Sequence, residues 1–231
     1  MEKILLKLAR SEVQYQGRFE QLSFGLLTSP APLYQNLIKQ LGKYGATIQN
    51  LTSLIPPFTP LADVNISCFL TELNVTTQVR LDRLEINFLR FHELGLERAT
   101  QILLDSWAAV YEFDASIVLM NHVVTITLYT QIQDASCDQV IERYVRIPPE
   151  LGSAVHAGVA FYLPGEPARG EGASSIVLDR LIGQEQSLLL KVTATADAKQ
   201  VPFDTLAQVI NGYLTQSLEH LGLGFNQGNG R

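Results

Sequence analysis

Three stretches of the chain carry apolar residues at helical spacing. In residues 30–44, 95–111 and 205–221 the apolar side chains recur every three or four positions, which places them on one face of a helix. Ser29 before a proline is typical of a helix start, and glycines follow the first and the third stretch. The sequence therefore predicts three amphipathic helices, with polar residues such as Asp105 on the solvent side.

Segments in which apolar and polar residues alternate separate these helices and predict strands. The longest covers residues 117–132, where Val124, Ile126 and Leu128 lie on an apolar face and the odd positions are mostly polar. The other predicted strands are residues 4–8 and 22–26 (a hairpin with its turn at Gln16-Gly17), 64–74, a hairpin over 79–88, 153–163, 174–183 and 187–197. The connecting segments are predicted as an extended connection at 50–63, a short helix at 135–145 and a surface loop at 164–174, with a frayed tail after the last helix.

A hairpin of strands followed by one helix recurs about three times along the chain. The string Leu-Asp-Arg-Leu stands at both 81–84 and 178–181, within the second and the third unit. Adjacent strand pairs favour antiparallel pairing, so the expected fold is α+β, with an antiparallel or mixed sheet and helices packed on one face. Residues 1–49 are expected to form one hairpin-plus-helix region and residues 64–231 the main region, either as two domains or as one.

The longest stretch without Asp, Glu, Lys or Arg, residues 115–133, is long enough to cross a bilayer as a helix. Its β-branched residues and its alternation of period two favour a strand, so no membrane association is expected. The first apolar run is broken by Lys3 and Lys7, which is not typical of a secretory signal. We therefore expect a cytoplasmic protein in which Cys68 and Cys137 are reduced thiols.

The charge and the hydropathy of the chain bear on its partners. The net charge of -6 and the pI near 5.2 argue against nucleic-acid binding, which uses basic surfaces. Charged residues make up 17% of the chain, below the roughly 25% of typical soluble domains. The mean hydropathy is +0.11. We expect a protein partner or a second copy of the chain to cover part of the apolar surface, as in a homodimer or a larger assembly.

The motifs of common catalytic and cofactor sites are not found in the sequence. It contains no phosphate-binding loop, no dinucleotide fingerprint and no nucleophile elbow. The four histidines lie far apart, so a metal site would need ligands from distant segments. His92-Glu93 is interpreted as the start of the second helix. The sequence predicts no cofactor, no metal and no catalytic residue.

His122 and Tyr129 are the candidate ligand contacts. His122 falls on the apolar face of the long strand, where a buried imidazole must have hydrogen-bond partners for its ring nitrogens. Those partners are either backbone and hydroxyl groups of the core or a ligand in a pocket between the sheet and the helices. Tyr129, on the same strand, is the second candidate polar anchor of such a pocket.

The order of elements carries a resemblance to a known group of proteins. It rests on the hairpin VRLDRLEINF, the helix LERATQILLDSWAAVYEF, the strand VVTITLYTQI and the closing helix FDTLAQVINGYLTQSLEHLG. Over about two-thirds of its length the chain resembles a sporadically distributed prokaryotic family of uncharacterised proteins. That resemblance implies an α+β fold and no functional residue. A looser likeness, at the level of the fold, is to SecB-type chaperones.

Two binding hypotheses and one catalytic hypothesis follow from these observations. The first is a non-catalytic binding or assembly protein that acts through protein–protein contacts at sheet edges and helix grooves. The second is a carrier of a small apolar ligand, with a pocket between sheet and helices. The third is an enzyme with a site of unfamiliar type.

Overall fold

The described residues form one sheet with helices packed on one face of it. The computed structural model describes residues 3–55, 59–133, 135–145, 158–166, 170–181, 184 and 186–225. The strands within this part of the chain are β1 (Ile4–Phe19), β2 (Leu51–Leu54), β3 (Asn65–Leu70), β4 (Val75–Arg80), β5 (Arg83–Phe88), β6 (Leu119–Ile132), β7 (Val159–Leu163), β8 (Glu171–Arg180), β9 (Ser187–Asp197) and β10 (Leu223–Phe225). The α-helices within it are α1 (Gly25–Thr28), α2 (Ala31–Leu41), α3 (Phe91–Leu94), α4 (Leu96–Phe113), α5 (Cys137–Ile141) and α6 (Phe203–His220).

The strands pair in the order β2-β3-β4-β5-β1-β6-β9-β8-β7, with every neighbouring pair on this path antiparallel. The short strand β10 lies parallel to β1 and pairs with its first residues, Ile4 to Leu6. The predicted α+β class is confirmed. Strand β1 pairs with β5 on one side and β6 on the other, so the predicted regions 1–49 and 64–231 contribute to the same sheet.

The sheet has the same arrangement on both sides of the central β1–β6 pair. On one side the order runs β1-β5-β4-β3, and on the other it runs β6-β9-β8-β7. Each half consists of a long central strand, a helix (α2 or α5), three further paired strands and a long helix (α4 or α6), with β2 added beyond the first half. The Leu-Asp-Arg-Leu strings are not at equivalent positions, because 81–84 forms the β4–β5 turn and the start of β5, whereas 178–181 covers the end of β8. The likeness of the halves lies in the order and the pairing of their elements. The two halves therefore share one topology.

The predicted N-terminal hairpin is wrong. Instead of turning at Gln16-Gly17, the chain continues as a single strand of 16 residues to Phe19. A side chain at this position would force its neighbours to move, because a Cβ at Gly17 would meet the hydroxyl of Tyr15 and would lie 2.9 Å from Leu119 Cδ2. Gly17 thus makes room for the Tyr15 ring and does not form a turn.

A bulge in β1 changes which positions of the strand are buried. The register with β6 shifts between Leu8 and Arg10, so Ala9 is an extra residue. Before the bulge Leu6 faces the helices, and after it Tyr15 does, so the parity of the buried positions changes within one strand.

Two other expectations also need correction, and a third segment is described only in part. Residues 22–26 form a loop and the first part of α1 where a second strand was expected. The predicted tail after the last helix begins instead with β10. The connection at 50–63 contains the edge strand β2, and its residues 56–58 lie outside the described part of the chain.

The helices cover one face of the sheet. Along β9 the residues Leu188, Leu190 and Val192 are buried, while the alternate positions Leu189, Lys191 and Thr193 are more exposed. The hydroxyls of Thr77 on β4 and Ser106 on α4 are 3.1 Å apart in the core between sheet and helix. The opposite face is polar, in agreement with the predicted one-sided packing. Within the described residues no helix has the length and the apolar character needed to cross a membrane.

Candidate functional site

An apolar cleft lies over the centre of the sheet, between the two long helices. Its volume is about 360 Å³, and it is bounded by α4, α6 and the central strands β1 and β6, with α3, β5 and β10 at its margins. Its apolar lining includes Val13 and Val124, Ile126 and Leu128 on the strands, Ala99 and Leu103 on α4, and Leu206, Ile210 and Leu214 on α6. The two halves of the fold therefore build this cleft together.

Phe203, the first residue of α6, closes one end of the cleft. Its ring centroid lies 5.9 Å from that of Tyr15, 4.9 Å from that of His122 and 5.9 Å from that of Trp107. Aromatic rings at these separations attract each other beyond the area that they bury. This end of the cleft is consequently a packed aromatic wall.

The other end lies at a gap in the sheet. The pairing of β1 with β10 ends at Leu6, and its pairing with β5 begins at Val13. Helix α3 lies against β1 in this gap, where the backbone N–H of Ser11 donates a hydrogen bond to Nδ1 of His92 at 3.2 Å. Because Nδ1 accepts, the neutral ring carries its proton on Nε2, which is 3.7 Å from a carboxylate oxygen of Glu93. His92 thus joins α3 to the central strand beside the cleft.

Polar side chains are few in the cleft, and none of the described residues that line it is Asp, Glu, Lys or Arg. The polar lining consists of Ser11, His92, Thr100 and Asn211, and the hydroxyl of the lining residue Tyr15 is bonded to His122 behind the cleft. The hydroxyl of Thr100 donates to the carbonyl of Leu96 at 2.9 Å, and Asn211 is exposed on α6. The cleft offers hydrogen-bonding groups but no charged partner.

His122 lies behind this cleft, not in its lining. The imidazole is 1% exposed, with Nε2 3.0 Å from the carbonyl oxygen of Val201 and Nδ1 2.9 Å from the hydroxyl of Tyr15. A carbonyl can only accept, so Nε2 donates to Val201 and Nδ1 accepts from Tyr15. Burial lowers the pKa of His122 despite the opposing bond to Val201, and burial raises the pKa of Tyr15 well above its usual value. Both ring nitrogens therefore have protein partners.

The structure does not bring Tyr129 and His122 together. They are seven positions apart on one strand, and an odd separation places two side chains on opposite faces. Tyr129 lies on the polar face, where the guanidinium of Arg10 is 5.4 Å from its ring centroid. Only His122 is on the helix-covered face.

The residues that shape the cleft were missed by sequence reasoning, or were assigned another role. His92 was expected to start the second helix, but it lies in the separate short helix α3 before α4, and it also lines the cleft. Thr100 and Asn211 have no local pattern that distinguishes them from other polar residues of an amphipathic helix. Their only signal is long-range, because it depends on which helices lie side by side over the sheet.

A second polar cluster lies where the end of α2 meets α4, and it corrects the expectation that Asp105 faces solvent. Asp105 is 8% exposed and accepts hydrogen bonds from the Tyr44 hydroxyl at 2.6 Å, the Lys43 ammonium at 2.8 Å and the Gln101 amide at 3.2 Å. Burial alone would raise the pKa of Asp105, but these three donors outweigh it and the pKa is lowered. Each donor comes from α4 or from the segment after α2, so the cluster joins these two helices.

The two cysteines are buried and are not bonded to each other. Burial raises the pKa of each thiol to about 11, so neither is a reactive thiolate at neutral pH. The prediction that Cys68 is a buried strand residue is confirmed. In the described part of the chain, no three His, Cys, Asp or Glu residues are grouped closely enough to hold a metal ion.

Comparison with known proteins adds no relative. No protein-family model matches the chain, and no curated protein matches it. The resemblance to a prokaryotic family therefore stays a prediction, and the candidate site rests on its own geometry.

Proposed function

We propose that this chain is a non-catalytic binding protein that holds an apolar ligand in the cleft between α4, α6, β1 and β6. The observation that carries the proposal is an apolar space of about 360 Å³ at the centre of the fold. Pockets for small ligands usually measure roughly 300–1,000 Å³ and have apolar walls with a few polar groups. Of the two binding hypotheses raised by the sequence, this cleft favours the carrier of a small apolar ligand.

The size of the cleft argues against a packing defect. Protein interiors are as densely packed as organic crystals, and few of their voids exceed one water molecule. At roughly 30 Å³ per water, the cleft holds the volume of about twelve such molecules. Its surroundings are otherwise well packed, with Ile126 on its floor and Leu206 on its wall both buried. A ligand that fills this space would replace water against an almost wholly apolar surface, which is favourable.

The composition of the lining supports binding over catalysis. Among the described lining residues, His92 and Tyr15 are the ones that can titrate, and the Tyr15 hydroxyl is bonded to buried His122. General acid–base chemistry needs a titratable group within hydrogen-bond reach of the reacting atom, and usually a second group to orient it. His92 already accepts from the backbone of Ser11, a bond that serves to position α3.

A titration with N-phenyl-1-naphthylamine tests the proposal, since this uncharged probe fluoresces strongly in apolar surroundings. We expect saturable binding of one probe per chain. The variant Ala207→Phe, which places a large side chain in the cleft, should weaken binding by roughly tenfold or more. Ala31→Phe is the matched control, because Ala31 is exposed at the start of α2 and outside the cleft. Equal binding by both variants, or no saturable binding by the unmodified chain, would reject the proposal.

Association with a protein partner or a second copy is the second candidate function, and one edge of the sheet favours it. Strand β7 ends the sheet order, and its Tyr162 is 81% exposed beside Leu163. An edge strand with exposed large side chains can pair with another chain. Light scattering over a concentration series should then report a dimer or a larger assembly that Tyr162→Lys converts to monomer, whereas a monomer at every concentration would exclude self-association.

We also propose a cytoplasmic location with no nucleic-acid partner. Two free, buried cysteines are consistent with a reducing compartment. The net charge of -6 disfavours contact with phosphate backbones.

A further inference from the structure

We infer that the ligand of the cleft is a molecule with a single extended apolar chain and one uncharged polar end, such as a hydroxyl or a carbonyl group. The inference rests on the proposed function and names the class of ligand that the same site would select.

The course of the cleft along the strands points to an extended chain. On β1 its lining runs from Leu8 to Tyr15, seven steps that span about 23 Å at roughly 3.3 Å per step. Phe203 and Tyr15 close one end with packed aromatic rings. A space of this length and of about 360 Å³, the volume of about twelve waters at roughly 30 Å³ each, suits an elongated ligand such as a dodecyl chain.

The charge of the lining determines which polar end is tolerated. The described lining residues include no Lys or Arg to pair with a carboxylate or a phosphate, and no Asp or Glu to pair with an ammonium group. A charged head at the mouth of the cleft loses part of its water and gains no ionic partner there, which is unfavourable. The net charge of -6 adds a general repulsion of anions. A charged amphiphile should therefore bind more weakly than a neutral molecule of the same length.

The polar groups of the lining suit a neutral head. Thr100 on α4 and Asn211 on α6 stand on the two helices that form the walls, and Asn211 is exposed. The Asn211 amide both donates and accepts hydrogen bonds, and the Thr100 hydroxyl, which donates to Leu96, can still accept one. A ligand hydroxyl between them could donate to one residue and accept from the other.

Displacement of bound N-phenyl-1-naphthylamine by three probes of equal chain length tests the inference: 1-dodecanol, dodecanoate and dodecylammonium. The measurements are made at about pH 8, where the last two are charged. We expect 1-dodecanol to bind severalfold more tightly than either charged probe, because part of a charged head's water is lost without an ionic partner. In the double variant Thr100→Val with Asn211→Leu this preference should largely disappear, with each displacement referred to the variant's own measured affinity for N-phenyl-1-naphthylamine.

The outcomes separate the inference from the proposed function. If N-phenyl-1-naphthylamine does not bind, the proposed function fails and the inference falls with it. A second outcome is that N-phenyl-1-naphthylamine binds and is displaced by dodecanoate or dodecylammonium as effectively as by 1-dodecanol, or is displaced by none of the three. In either case the cleft is a binding site, and the inference about the neutral head is wrong. If the double variant keeps the full preference, Thr100 and Asn211 do not recognise the head, and that assignment is overturned.

Discussion

The buried hydrogen bond between Tyr15 and His122 is the contact whose removal tests the interior of the fold most sharply. In the variant Tyr15→Phe the aromatic ring remains, with its neighbours His122 and Phe203 at centroid distances of 5.8 and 5.9 Å. The hydroxyl that donates to Nδ1 of His122 is lost. The substitution therefore isolates one hydrogen bond from the packing around it.

The expected loss of stability follows from the acceptor that Tyr15→Phe leaves unpaired. Nδ1 of His122 becomes an acceptor without a partner in a residue that is 1% exposed, so water cannot easily replace the hydroxyl. A buried polar group left unsatisfied costs about 1–3 kcal/mol. We expect Tyr15→Phe to lower the free energy of unfolding by that amount, measured by urea unfolding with circular dichroism at about pH 7.5. The m value, the slope of the free energy of unfolding against urea concentration, should stay unchanged, because the same surface is exposed on unfolding.

Tyr129→Phe is the matched control. Tyr129 lies on the same sheet but on its polar face, where its ring keeps the contact with Arg10 after the hydroxyl is removed. Surface changes of this kind usually stay within about 0.5 kcal/mol. If the two variants lose equal stability, the hydrogen bond to His122 is not the cause, and the account of the buried pair is refuted.

Three further predictions concern groups whose environment is set by the fold. Burial lowers the pKa of His122, so on acidification the unfolded chain takes up a proton at this residue before the folded chain does. The free energy of unfolding should therefore fall as the pH drops below about 6.5. Urea unfolding of His122→Phe should lack this part of the pH dependence. The pKa of Asp105 is lowered in the folded state, so its carboxylate stabilises the fold above about pH 4, and this stabilisation is lost as the pH falls through the folded-state pKa. Asp105→Asn should therefore lower the free energy of unfolding by about 1–3 kcal/mol at neutral pH. The difference in stability between this variant and the unmodified chain should shrink below about pH 4. Gly17→Ala should cost about 1–3 kcal/mol in thermal or urea unfolding, because the added Cβ meets Tyr15 and Leu119; an unchanged midpoint would show that Tyr15 can move aside freely.

Local patterns predicted most of the elements because the apolar stripes are long and regular. Helices α2, α4 and α6 follow the three periodic stretches, and β6 follows the alternating one. The hairpin of β4 and β5 was predicted from a change of parity at Asp82-Arg83, where the structure has the β4–β5 turn. A change of parity is ambiguous, however, since a turn and a bulge both produce it. The incorrect N-terminal hairpin has another cause: Gln16-Gly17 was interpreted as a turn, whereas Gly17 makes room for the Tyr15 ring within β1.

The candidate site could not be predicted in the same way, because it depends on contacts between distant segments. His122 was correctly placed on the apolar face, but the residues that satisfy its nitrogens, Tyr15 and Val201, are 107 and 79 positions away. The cleft exists because α4 and α6 lie over β1 and β6 without filling the space between them. No pattern within either helix reports this spacing.

The same limit applies to Asp105. Its position on the polar side of α4 predicted exposure, yet Lys43 and Tyr44, which follow α2, cover it. Amphipathic patterns identify the face of a helix that meets the sheet. They do not show that a second helix packs against the polar flank, where a carboxylate with enough donors can be buried.

The most direct measurement of the central claim is a methyl NMR titration of the intact chain with N-phenyl-1-naphthylamine. The account predicts saturable shifts of the methyl groups of Val124, Ile126 and Leu206, which line the cleft, and none for those of Ile66 and Val79, which are buried elsewhere in the core. Shifts that are absent from the cleft, or that spread equally over both sets of methyl groups, would contradict the claim that this space is the ligand site.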